Sequence, residues 1–244
     1  MYKTGLASIA FRHLSVEQII EAAKNAGLTY IEWGSDVHAP KDDLENLDRV
    51  AKLTREAGLE ISSYGTYFKT SSNAPEEILD YITAAKRLGT NILRVWCFTT
   101  ADPVEKERRY EVCRRVAEIA EENGVVICAE CHSDTMTDNA ESSLELMQKV
   151  NSPAFGMYWQ AHEYFTAEEN LEFIKAVVPY VTNVHVYNGQ GQEMLMLKQA
   201  EDAWEQYVKV LGGDRIYLLE HLPGHDETLL PAQADTLRRI LNTL

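Results

Sequence analysis

Short apolar runs alternate with amphipathic segments along the whole chain, and the alternation has the period of a strand followed by a helix. The strand-like runs are Gly5–Ala10, Tyr30–Trp33, Glu60–Tyr64, Ile92–Trp96, Val125–Glu130, Phe155–Gln160, Asn183–Tyr187 and Ile216–Glu220. Between them apolar residues recur at helical spacing, first in 15–23 behind a serine N-cap. Glu45–Ala57, Pro75–Leu88, Pro103–Asn123, Asn139–Val150, Ala167–Val178, Ala200–Leu211 and Leu229–Leu244 repeat the pattern. Gly27, Gly58, Gly89 and Gly124 stand where a helix would end in a left-handed residue, and Pro75 and Pro103 where a first helical turn accepts proline. Eight strand–helix units with no linker between them predict an α/β fold: a closed, single-domain (β/α)8 TIM barrel over residues 1–244. The alternative, an open doubly wound sheet, normally carries a glycine-rich phosphate turn after its first strand. Ser8-Ile-Ala-Phe-Arg-His13 has none.

A length of 244 residues fits one such barrel. The net charge of −15, from 38 acidic and 23 basic residues, disfavours nucleic acid and anionic lipid as partners, because a phosphate surface would be repelled. No stretch approaches the roughly 18 apolar residues of a membrane span, and residues 1–14 lack the apolar core of a signal peptide, so the chain reads as cytoplasmic. The oligomeric state is open, a homo-oligomer included. Four cysteines include one C-x-x-C, Cys128 and Cys131. Cys128 lies in an apolar strand run rather than at a helix N-terminus, and residues three apart on a strand diverge. Buried, reduced thiols are expected.

Candidate chemistry enters at the strand ends. The last four strand-like runs finish on Glu130, Gln160, His185 and Glu220, spaced by 30, 25 and 35 residues. Parallel strands bring such terminal residues to one end of a barrel, where two carboxylates, an imidazole and an amide could hold a divalent cation. All seven histidines (His13, His38, His132, His162, His185, His221 and His225) lie at strand ends or in the loops that follow, and none in a predicted helix. Counting back by twos, Glu130 shares a strand face with Cys128 and Val126, Gln160 with Tyr158, His185 with Asn183, and Glu220 with Leu218 and Ile216. On the fourth strand the same parity sends Arg94 and Trp96 inward. A buried arginine in Ile92-Leu-Arg-Val-Trp96 is costly unless it meets an anion or a carboxylate.

On these residues the chain resembles the xylose isomerase-like TIM barrels that include the sugar phosphate isomerases and epimerases. The resemblance rests on Ala129-Glu-Cys-His132, Gly156-Met-Tyr-Trp-Gln160, Asn183-Val-His185 and Leu218-Leu-Glu220. It implies one Mn²⁺ or Mg²⁺ held by Glu130, His185 and Glu220, with Gln160 in the place of the usual aspartate. It also implies that Glu130 and Glu220 act as acid and base on a carbohydrate, removing the proton beside a carbonyl and returning it to the opposite face or the neighbouring carbon. Arg94, His132 and His162 are expected to bind substrate hydroxyls or an anionic group, with Trp33 and Trp96 as apolar walls.

Two departures bear on the centre. Gln160 and Asn188 each stand where the family often has an aspartate, which removes negative charge around a cation and should weaken its binding. Asn188-Gly-Gln-Gly-Gln192 is expected to form a flexible loop, or less often a phosphate cradle. An inosose-dehydratase-like lyase would use the same proton abstraction and then expel a β-hydroxyl. A non-catalytic sugar binder is a further alternative. A DNA-repair endonuclease of this fold would need a trinuclear site and a basic groove, against which Gln160, Asn188 and the −15 charge argue.

Overall fold

The computed structural model describes residues 2–244. Eight parallel strands close into one barrel: β1 (Lys3–Ala7), β2 (Tyr30–Gly34), β3 (Glu60–Lys69), β4 (Ile92–Trp96), β5 (Val126–Glu130), β6 (Phe155–Trp159), β7 (Val181–Val186) and, after a two-stranded insertion, β10 (Ile216–Leu219), which returns to pair with β1. The insertion is an antiparallel hairpin of β8 (Asn188–Gln190) and β9 (Glu193–Leu195), formed by the segment expected to be a flexible loop or phosphate cradle. The helices are α1 (Val16–Asn25), α2 (Leu44–Glu56), α3 (Ile78–Leu88), α4 (Pro103–Asn123), α5 (Ala140–Val150), α6 (Ala167–Val177), α7 (Glu201–Leu211) and α8 (Leu230–Leu241). Each packs outside the barrel, so the expected (β/α)8 architecture is the observed one. Among the described residues no helix is long and apolar enough to cross a membrane.

Local chemistry sets the helix ends. Ser15 opens α1 with a reciprocal cap, its hydroxyl accepting the Gln18 N–H while the Gln18 side chain accepts the Ser15 N–H at 2.8 Å. Gly89 and Gly124 close α3 and α4 at φ 89° and 68°, a left-handed conformation that costs a side-chain-bearing residue. Boundaries move where tertiary contacts override the local pattern. β1 stops at Ala7 because Ser8–Phe11 winds into a buried 3₁₀ turn, where the Ser8 hydroxyl accepts the Gly34 N–H at 2.9 Å and meets His38 Nδ1 at 3.1 Å. β3 runs on to Lys69 because its far end pairs a second time with β4.

The barrel interior is stacked in layers. Tyr30, Ile92, Val126 and Ile216 pack against a middle tier of Cys128, Tyr158 and Leu218. Asn183 joins that tier through a 2.7 Å bond from its amide to the Tyr158 hydroxyl. The larger core lies between strands and helices, with Trp33, Trp159 and Trp204 all buried. All four cysteines are buried and unpaired, and burial pushes the Cys128 thiol up to about 12, which keeps it protonated and inert.

Candidate active site

Above the middle tier, at the C-terminal ends of the strands, the barrel axis is filled by polar side chains. Glu32 from β2, Arg94 from β4, Glu130 from β5, Gln160 just past β6, His185 from β7 and Glu220 just past β10 converge there, each at most 4% exposed. This parity follows from the tiers below: Tyr30, Ile92, Cys128, Tyr158, Asn183 and Leu218 lie two residues before them on the same faces.

His185 is the hub. Its Nδ1 lies 3.2 Å from Gln160 Oε1, 3.3 Å from Glu220 Oε2 and 3.5 Å from Glu130 Oε1. On the other side of the ring, Nε2 lies 3.4 Å from Glu32 Oε1 and makes no hydrogen bond of good geometry. Arg94 closes the opposite wall: Nε donates to Glu32 Oε1 at 3.0 Å and Nη1 donates to Glu130 Oε2. The Ser63 hydroxyl donates to the second Glu32 oxygen at 2.9 Å. Gly65 makes room for this pair, since a Cβ there would stand 2.8 Å from Arg94 Nη2 and 2.9 Å from Glu32 Oε1.

Charge is shared tightly across the layer. Burial alone would raise the Glu32 carboxyl, but the Arg94 and His185 charges outweigh it and hold it down to about 2. Glu220 is also held well below the carboxylate range, burial being overcome by His185, His221 and Arg94. His185 moves the other way. Burial opposes its charge, yet the surrounding carboxylates, Glu220 and Glu32 foremost, raise its pKa well above that of a free imidazole.

The donor set fits a hard divalent cation. Glu130, His185 and Glu220 each offer an atom within 4.8 Å of the others. The spacing of three oxygens about Nδ1 is near the ~3 Å between neighbouring ligands of an ion whose bonds run about 2.1 Å. Glu220 Oε2 is buried and has no hydrogen-bond partner, an oxygen left free for such a ligand.

Around the mouth, Trp96 stacks on Phe98 at 5.5 Å and meets the His132 ring edge-on at 4.9 Å. His132 and His162 line an open cavity of about 660 Å³ with Ser133, Asp134, Asp138 and Glu163. His221 lies 3.4 Å from Glu220 Oε2. Trp33 does not wall this pocket. It is out of phase with Glu32, points outward beneath α2 and donates its indole N–H to Thr54 at 3.1 Å. Arg94 is held by two glutamates at 1% exposure, below the mouth, which places it with the carboxylates rather than against a substrate anion. Three histidines do not join the site: His38 packs between Ser8 and the Leu14 carbonyl, His225 reaches the Ala10 carbonyl, and His13 faces Glu227 on the surface. Glu32 is the member that sequence reading missed, although the parity that turns Arg94 inward from Ile92 turns Glu32 inward from Tyr30.

A model of the xylose isomerase-like TIM barrel family matches residues 20–239, and the chain belongs to that family. A curated relative, 3-dehydroshikimate dehydratase from Bacillus anthracis, is 24% identical over 93% of this chain and 85% of its own. The crystal structure of the probable 3-DHS dehydratase involved in petrobactin synthesis from Bacillus anthracis superposes with a TM-score of 0.81 at 19% identity, covering 98% of this chain and 99% of that one. D-psicose 3-epimerase from Clostridium cellulolyticum H10 gives a TM-score of 0.72 at 15% identity over 98% and 99%. The barrel is thus the fold of sugar isomerases and epimerases, and also of a dehydratase.

Proposed function

We propose that this protein is a divalent-metal-dependent sugar isomerase or epimerase, in which Glu130 and Glu220 divide the proton transfers beside a substrate carbonyl. One observation carries the reading: both glutamates lie on the His185 Nδ1 side, each with an oxygen within 3.5 Å of that nitrogen. Bound among Glu130, Gln160, His185 and Glu220, Mn²⁺ or Mg²⁺ would supply Lewis-acid stabilisation of charge developing on substrate oxygens. One of the two glutamates would remove the proton and the other would return it. Glu130 is fixed by Arg94 through one oxygen and faces His185 through the other. His132 and His162 would bind hydroxyls of a small carbohydrate in the mouth, while Trp96 and Phe98 exclude water.

The second reading is a lyase in which the same abstraction is followed by loss of a β-hydroxyl. The 24% identity to a dehydratase favours it. Incubation in D₂O with a panel of ketoses and dehydratable polyols, followed by mass spectrometry, separates the two. Deuterium on a carbon of an isomeric product supports the isomerase or epimerase; loss of water supports the lyase. With every substrate of the panel bound but unchanged, the chain is a sugar binder and the acid–base assignment fails.

A further inference from the structure

We propose that Glu32 is a positioning residue of the centre: with the cation bound it accepts the Nε2–H of His185, so that Nδ1 faces the cation, and it anchors Arg94 against Glu130. The inference rests on the cation site proposed above and adds to it a residue outside the ligand set. Its basis is geometric. The three potential oxygen ligands, from Glu130, Gln160 and Glu220, all gather on the Nδ1 side of His185. The opposite nitrogen is fully buried and has one carboxylate near it, Glu32 Oε1 at 3.4 Å. A ligand histidine needs its second ring nitrogen committed to an acceptor, because that contact fixes the tautomer and raises the basicity of the nitrogen facing the metal.

Glu32 is itself built into place. Ser63 holds one of its oxygens at 2.9 Å and Arg94 the other at 3.0 Å, and the absence of a Cβ at Gly65 lets the guanidinium and carboxylate meet. Such a buried carboxylate is expensive to retain for packing alone. It also answers the amide at Gln160. With Glu32 the layer carries three carboxylates, Glu32, Glu130 and Glu220, and the charge missing from the end of β6 is supplied from β2. Because Arg94 spans Glu32 and Glu130, the same anchor sets which Glu130 oxygen faces His185.

Calorimetric titration of Mg²⁺ and Mn²⁺ into the purified wild-type protein and Glu32→Gln tests this directly. Glutamine keeps the shape, and affinity should fall by roughly 10–100-fold. Nitrogen-15 NMR of histidine-labelled, Mg²⁺-loaded protein gives a readout that a purely structural role would not move. In wild type the His185 Nε2 should be protonated with its proton far downfield, and in Glu32→Gln that proton should shift upfield. Ser63→Ala, which removes the hydroxyl that supports Glu32 along with its 2.9 Å contact to the Ser62 hydroxyl, should weaken binding in the same direction by less, and serves if Glu32→Gln fails to fold. Unchanged affinity in the folded variants, with wild type binding normally, would overturn the role of Glu32 alone. Absence of binding by wild type would overturn the cation site and this role with it.

Discussion

Glu32 and Trp33 are consecutive on one strand, equally hidden from water at 1% and 0% exposure, and they stand in opposite environments. Glu32 enters a layer of three carboxylates, an arginine and a histidine inside the barrel. Trp33 enters the shell between β2 and α2, where Trp159 and Trp204 occupy similar places farther round. In the outer shell burial itself stabilises, because a large apolar surface leaves water and the indole N–H finds Thr54. In the inner layer burial costs free energy, which is recovered only while every charge keeps its partner. A fold selected for stability alone would fill both places with apolar side chains. The polar layer therefore marks the place where stability has been given over to chemistry.

The largest expected effect falls on the inner layer. Glu220→Gln and Glu130→Gln should each lower turnover by roughly 10²–10⁴-fold with the fold intact, since on the proposed reading each removes a proton-transfer group and keeps its shape. Circular dichroism alongside kinetics on a verified substrate is the check. If either glutamate only holds the cation, turnover and deuterium exchange into recovered substrate should vanish together. If it serves only to reprotonate, exchange should survive.

In the outer shell the effect moves from turnover to stability. Trp33→Ala should destabilise by about 3–5 kcal/mol in denaturant unfolding, the usual range for a large buried aromatic, and leave the turnover of the folded fraction unchanged. Acid should act through the inner layer. Glu32, held down to about 2, contributes stability that is fully present above its ordinary value of 4.5 and is lost as pH falls from there toward 2. Glu220, also held below the carboxylate range, adds to the loss as pH falls from the same starting point. Denaturant midpoints measured from pH 6 to pH 2 should fall through that window in wild type, and less in Glu32→Gln.

Most of this arrangement was legible in the strand pattern. The eight units, the closed barrel and the convergence of Glu130, Gln160, His185 and Glu220 all follow from period-two and period-3.6 spacing with capping residues between. Parity also placed Arg94 inside. Trp33 was misjudged on residue type: an aromatic at a strand end suggests a pocket wall, but its odd position relative to Tyr30 sends it outward. Glu32 was overlooked because it precedes the strand end by one residue, where a lone glutamate in Tyr30-Ile-Glu-Trp33 looks like a solvated position. What no local pattern holds is which carboxylate meets Arg94, since that pairing spans 62 residues and depends on the gap left by Gly65. The hairpin at Asn188–Leu195 was likewise hidden by its glycines, which suggest a flexible loop as readily as a turn between two short strands.

Within the inner layer, Gln160 offers a smaller and sharper test. Gln160→Asp places a fourth carboxylate beside His185 Nδ1 and should tighten Mg²⁺ or Mn²⁺ binding by about tenfold, a shift of about 1.4 kcal/mol. The same titration carries a pH dependence. The carboxylates keep His185 protonated well above the usual imidazole range, so the cation must displace a proton. Apparent affinity should rise by up to about tenfold per pH unit while His185 is charged, and level off above its raised pKa. A pH-independent affinity in calorimetry would take His185 out of the ligand set.

The smallest effects belong to the rim, which is neither a charged layer nor a packed shell. His132 and His162 are partly exposed, and each touches Ser133: His132 Nδ1 lies 3.0 Å from its carbonyl and His162 Nε2 3.3 Å from its hydroxyl. A hydrogen bond from such a group to a sugar hydroxyl contributes about 0.5–1.5 kcal/mol, so His132→Ala and His162→Ala should raise KM by roughly 2–10-fold. His162 also stacks on Phe165 at 4.4 Å, so its replacement should loosen the loop after β6 as well. His132 instead meets Trp96, whose ring centre lies 6.0 Å from the Arg94 guanidinium carbon of the inner layer. The expected split is a KM effect alone for His162→Ala and a KM effect with a modest fall in kcat for His132→Ala, read from full saturation curves. Equal kcat losses in both would move the rim into the chemistry and erase the contrast with the glutamates below it.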